Sequence, residues 1–205
     1  MDLIMKLVAL GDSIIKGVLF NKEENGHGHY SLSDHNIAHT VADSMHCEVM
    51  NLGKMGCTVE AGERILERYI DTLDGTKYVL MCFGGNDSDY NWKAIADSPK
   101  EKHYPKTLLR TFEKTYARVI NKVREMGFTP LIMSLPPMDA QQYFDFFTST
   151  FTEEQKSIIN DYKILQYYNI YYVIFLILHF PLFSLKNRDL SNGFKFSPSI
   201  LIFLL

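Results

Sequence analysis

Cysteine is scarce in this chain: Cys47, Cys57 and Cys82 are the whole complement, and none forms a Cys-x-x-Cys pair. That shortage excludes a disulfide scaffold and the usual zinc spacings, and suits buried, reduced thiols in a cytoplasmic protein. An excess of positive charge is missing too. With 21 Lys and Arg against 24 Asp and Glu and no basic run, the chain carries no electrostatic footprint for nucleic acid. The apolar run within residues 1–10 is too short for a secretory core and has no small-residue cleavage site, so it reads as a strand. No repeat or low-complexity linker breaks residues 1–156, and 205 residues suffice for one domain with a substantial core.

A second set of absences falls at the end. From Ser157 to Leu205 there is no Ala, Glu, Met, Thr, Cys or Trp, and between Lys163 and Lys186 no Asp, Glu, Lys or Arg. Residues 1–156 therefore read as one unit and 157–205 as an atypical apolar segment. Three origins for that segment stay open: a replaced or frame-shifted tail, a divergent completion of the same domain, or a membrane contact through 164–185. The uncharged stretch passes the about 18 residues a span needs. Against a span, Asn169, His179 and Pro181 sit inside it, and its tyrosines are scattered instead of belted at the ends.

What is present in residues 1–156 is an alternation of strand and helix patterns, the mark of an α/β fold around a parallel sheet. Leu7 to Leu10 is a short continuous apolar run, as in a buried parallel strand. A polar loop is expected over 21–30, then a helix capped by Ser33. A second strand ends at Asn51, and Thr58 with Glu60 opens a helix stopped by Gly75. The third strand ends at Phe83. A loop through Trp92, Pro99 and Pro105 leads to the longest helix, about 107–126, stopped by Gly127. Pro130 to Leu135 is the fourth strand, and Thr152 followed by acidic residues starts a further helix.

Three of these strands end alike. Leu7–Leu10 breaks into Gly11-Asp12-Ser13-Ile14, Val49–Leu52 into Gly53 and Gly56, and Tyr78–Phe83 into Gly84-Gly85-Asn86-Asp87. Strand ends of neighbouring parallel strands share one crevice, so a Ser, a Gly pair and an Asn are delivered together. That is a kit for acyl transfer. Ser13 is placed to attack, its own N–H and that of Gly56 can donate to an oxyanion, and Asn86 offers a neutral side-chain amide. Asp12 and Asp87 suit loop organisation through backbone N–H groups.

The three blocks, in this order, resemble the first three motif blocks of the SGNH hydrolases, the GDSL-type esterases and lipases, over roughly residues 5–140. The resemblance implies a flavodoxin-like three-layer α/β/α sandwich, with Ser13 as nucleophile, Gly56 and Asn86 completing the oxyanion hole, a small-molecule ester as substrate and no cofactor or metal. Aromatics of the 88–106 loop (Tyr90, Trp92 and Tyr104) would help wall the substrate pocket in that family. The fourth block of the family, a C-terminal Asp-x-x-His carrying the general base, has no counterpart after Asn86. Asp43-Ser44-Met45-His46 has the spacing but precedes the second block and reads as a surface helix end. His179 is the one His beyond His103, and no Asp closely precedes it. His27, His29 and His35 follow the nucleophile turn without metal-ligand spacing. The general base is thus unassigned, and the expectation is an esterase of impaired rate, or an inactive or membrane-tethered ligand-binding relative. A metallophosphoesterase would need a His after Gly-Asn, where Asp87 stands.

Overall fold

The computed structural model describes residues 5–23, 28–136, 139–160 and 202–204. Its elements are β1 (Lys6–Gly11), α1 (Ser13–Lys16), β2 (Val18–Lys22), β3 (Gly28–Leu32), α2 (Ile37–Ser44), β4 (Glu48–Asn51) and α3 (Val59–Tyr69). Then follow β5 (Thr76–Cys82), α4 (Trp92–Asp97), α5 (Leu109–Glu125), β6 (Thr129–Met133), α6 (Ala140–Phe147) and β7 (Ile202–Leu204). The main sheet runs β4-β1-β5-β6-β7, its first four strands parallel and β7 antiparallel to β6.

Alternation along the strands builds two layers on this sheet. Val8, Leu10, Val79, Met81 and Ile132 face α3 and α5, packing on Leu66, Phe112, Val119 and Val123. Leu7, Ala9, Leu80, Cys82, Leu131 and Met133 face the other way, onto Ile15 of α1 and Ala38, Val41 and Ala42 of α2. A fully buried Val or Leu stabilises by about 1.5–3 kcal/mol, so sealing both faces of β1 and β5 dominates the fold. The result is the three-layer α/β/α sandwich expected from the sequence. A smaller cluster joins α4 and α6 to a helical stretch at 153–160 through Trp92, Ile95, Phe144 and Ile159.

Several boundaries differ from the sequence reading, each for a local reason. The 21–30 stretch contributes to a hairpin instead of a plain loop: β2 and β3 pair with Phe20 opposite Tyr30, their rings 5.4 Å apart, and Asn21 donates to Ser31 Oγ at 2.7 Å. The first long helix is capped by Asn36, not Ser33, because the Asn36 side chain accepts from the N–H groups of Ala38 and His39. Ser33 instead donates its N–H to Gly17 O at 2.8 Å. The helix opened by Thr58 ends at Tyr69 and passes through a 3₁₀ turn, Ile70–Thr72, before Gly75. Trp92 lies in a helix and not a loop, since Asn91 caps it through Ala94 N at 3.1 Å. The fourth strand is Thr129–Met133. Thr152 starts a helix as expected, and with Gln155 it forms a reciprocal capping pair at 3.0 and 3.2 Å. His27, His179 and the 164–185 stretch lie outside the described residues. No helix among the described residues is long and apolar enough to cross a membrane.

Candidate active site

The carboxyl ends of β4, β1 and β5 lie side by side, and the three Gly-containing blocks leave the sheet there. Asp12 is the N-cap of α1, accepting from Ile14 N at 2.9 Å, which puts the half-buried Ser13 at the first position of a one-turn helix. No described residue is hydrogen-bonded to the Ser13 hydroxyl. The second block continues the β1–β4 pairing: Leu52 N donates to Ala9 O at 2.9 Å and Lys54 N to Gly11 O at 3.0 Å. Gly53 is required by contact, because a Cβ there would lie 2.6 Å from Lys16 N. Gly56 is required by conformation, with φ +71° in an exposed turn closed by Cys57 N on Lys54 O. In the third block, Asn86 Nδ2 donates to Asp12 Oδ2 at 3.0 Å. An amide carries two such hydrogens, and the second meets no acceptor among the described residues.

Both aspartates are buried and bonded to backbone N–H groups. Asp87 accepts from Val59 N, at the start of α3, at 3.1 and 3.2 Å, and from Thr107, whose own N–H donates to Asp87 O at 2.9 Å. Burial raises both carboxyls above the usual range, and the hydrogen bonds pull the other way. Cys57 beside them is pushed up to about 11, chiefly by burial and then by the two carboxylates. The three cysteines are free thiols. A cleft of about 240 Å³ opens next to the third block, lined by Asp87, Ser88 and Thr107 and by the apolar Tyr90, Leu109 and Phe112 among others. Of the three loop aromatics, Tyr90 alone lines it. Trp92 stacks on Phe147 at 5.0 Å and donates to Asp89, and Tyr104 lies exposed under Lys102.

The described histidines go elsewhere. His29 is exposed beside Glu23, His35 is exposed, and His103 Nε2 meets Ser98 O at 2.9 Å. His46 stands exposed just past the end of α2, the surface helix end the sequence suggested, with φ 53°. His39, on α2, contacts Asn36 Oδ1 through Nδ1 at 2.9 Å. Among the described residues no group of three or more His, Cys, Asp or Glu side chains is placed to hold a metal. Sequence reasoning missed Asn36 and Thr107, and named Asn51 only as the end of the second strand. Their signal lies in hydrogen bonds between distant segments, not in spacing.

A three-layer α/β/α sandwich whose parallel strands β1, β4 and β5 lead into Gly-Asp-Ser, a glycine turn and Gly-Asn-Asp defines a hydrolase of the SGNH type. The chain matches the model of the GDSL-like lipase/acylhydrolase family over residues 7–198, and it belongs to that family of ester-hydrolysing enzymes. Among solved structures it is similar to an acetylxylan esterase from Geobacillus stearothermophilus, with 17% identity, a TM-score of 0.45 and coverage of 85% of this chain and 76% of that one. A lipase/acylhydrolase from Enterococcus faecalis shares 17% identity at a TM-score of 0.42, over 80% of this chain and 73% of that one. The acetyl xylan esterase AlAXEase shares 16% at 0.44, over 83% and 74%. No curated protein matches in sequence.

Proposed function

We propose that the chain hydrolyses carboxylic esters of small molecules through an acyl-enzyme on Ser13. Ser13 Oγ attacks the ester carbonyl, the alcohol leaves, and water then releases the acid and restores the hydroxyl. The oxyanion formed in each half is taken by the N–H groups of Ser13 and Gly56 and by the Asn86 amide. The observation that carries this reading is the Asn86–Asp12 bond of 3.0 Å, which turns the amide toward the serine block and leaves one of its hydrogens to donate. The cleft beside the third block is the space for an apolar part of the ester. Asp12 and Asp87 hold loops and take no proton from substrate.

The rate is set by the base. Serine is a poor nucleophile at neutral pH without one, and no described histidine is bonded to Ser13. What remains is slow attack by an unassisted hydroxyl held beside the oxyanion donors, and that rate, far below a complete triad's, is the one proposed for this chain. Hydrolysis of p-nitrophenyl acetate by the full chain is expected to be slow and to disappear in Ser13→Ala. Equal rates in the two proteins would remove the acyl-enzyme. Fast turnover lost in Ser13→Ala would keep the acyl-enzyme and overturn the impairment, pointing to a base such as His179 in the tail.

A further inference from the structure

The three strand-end loops of the site are joined in pairs, each pair by one polar side chain. Asp12 joins the first loop to the third, accepting from Ile14 N at 2.9 Å and from Asn86 Nδ2 at 3.0 Å. Asp87 joins the third to the start of α3, just past the second, through Val59 N at 3.1 Å. The remaining pair is joined by Asn51. Its Nδ2 donates to Ile15 O at 2.7 Å, and its Oδ1 accepts from Gly53 N at 2.9 Å. The same Nδ2 also lies 3.3 Å from Oδ1 of Asn36, the N-cap of α2, so the link reaches the helix layer below.

The need for such a link follows from the size of α1. A helix of four residues cannot hold itself, and the carbonyls of its last turn have no partner within it. Ile15 O is one of these, and Asn51 supplies its partner. We propose that Asn51 is a positioning residue for the reaction: it fixes the one-turn helix bearing Ser13 against the glycine turn bearing Gly56, and so sets the distance from nucleophile to oxyanion donor. The proposal rests on the roles given to Ser13 and Gly56 above. Asn51 acts through Ile15 and Gly53 and touches no substrate. Loss of such positioning lowers kcat and leaves KM alone, because it misplaces groups that act in the transition state. A purely structural asparagine would lower the melting temperature with kcat per folded molecule unchanged.

The test compares the full chain with Asn51→Ala, which loses both arms, and Asn51→Asp, which keeps the acceptor for Gly53 and loses the donor for Ile15. With p-nitrophenyl acetate, kcat per folded molecule should drop at least about tenfold in Asn51→Ala and less in Asn51→Asp, with KM within about twofold. Amide hydrogen exchange at Lys16, Gly17 and Gly53 should quicken at least about tenfold in Asn51→Ala, with Gly53 spared in Asn51→Asp. Turnover within twofold of the parent in both variants overturns the proposal. If the parent shows no turnover above Ser13→Ala, the ester-hydrolysis reading fails by itself and exchange decides the rest: unchanged exchange at Lys16 and Gly17 overturns positioning.

Discussion

Two carboxylates under the candidate site, Asp12 and Asp87, carry the cost of being buried while ionised. Burial raises both above the ordinary 3.8. For an aspartate raised in the folded state, the native protein takes up its proton before the unfolded chain does. Its ionised form therefore costs stability in full above the folded pKa, and the cost is relieved as pH falls through that value toward 3.8. Asp87→Asn removes the charge and keeps one acceptor for Val59 N. The variant should melt highest relative to the parent near pH 7–8, and the gap should shrink as pH approaches about 4. Thermal melts of both proteins across that range check it, and a gap widening toward acid would show the carboxylate stabilising the fold. The same residues explain why Asp87 could be named from sequence but its partners could not. A Gly-Asn-Asp block reports an acceptor at a strand end, whereas Val59 and Thr107 meet it only after α3 and α5 pack.

Between elements, the closest fit near the site is α3 against the end of β5. Gly62 sits on the buried side of α3, where an added Cβ would run into the Phe83 ring. That ring cannot step aside, since it packs edge-on against Tyr116 at 5.8 Å and both are buried. Gly62→Ala should therefore destabilise by about 1–3 kcal/mol despite its better helix propensity, read as a lower urea midpoint at unchanged slope. A neutral or stabilising result would show slack at this contact. Elements with a clean period were legible in the chain: the buried strands, α3 with its Thr58 cap, and α5 with its buried stripe from Phe112 to Val123. The hairpin was not, because Phe20 and Tyr30 declare themselves a pair only once the strands are opposed. α6 was missed since its aromatics fall on more than one side, with Phe144 buried and Phe146 half-exposed against Phe20.

At the scale of the molecule, the blocks at Ser13, Gly56 and Asn86 were readable because each follows a parallel strand, β1 and β5 buried and β4 at the edge, and neighbouring strands need no further signal to bring their ends together. The far edge of the sheet was not readable. Expectation stopped at a fourth parallel strand, yet Ile202–Leu204 of the atypical segment adds a fifth, antiparallel, with Leu204, Phe203 and Ile202 opposite Leu131, Ile132 and Met133. Antiparallel pairing needs no helical crossover, so no strand-helix alternation announces it. Its consequence is physical: β6 would otherwise present unpaired N–H and C=O groups from a strand whose side chains are buried on both faces. Such an edge is a template for another chain. Removing residues 202–205 should therefore lower the melting temperature by several degrees, at about 2–4 °C per kcal/mol for a protein of this size, and make light scattering rise with protein concentration. Melts and scattering at several concentrations measure both. An unchanged melt with no concentration dependence would mean that β6 is shielded without β7, and that the sheet ends with its parallel strands.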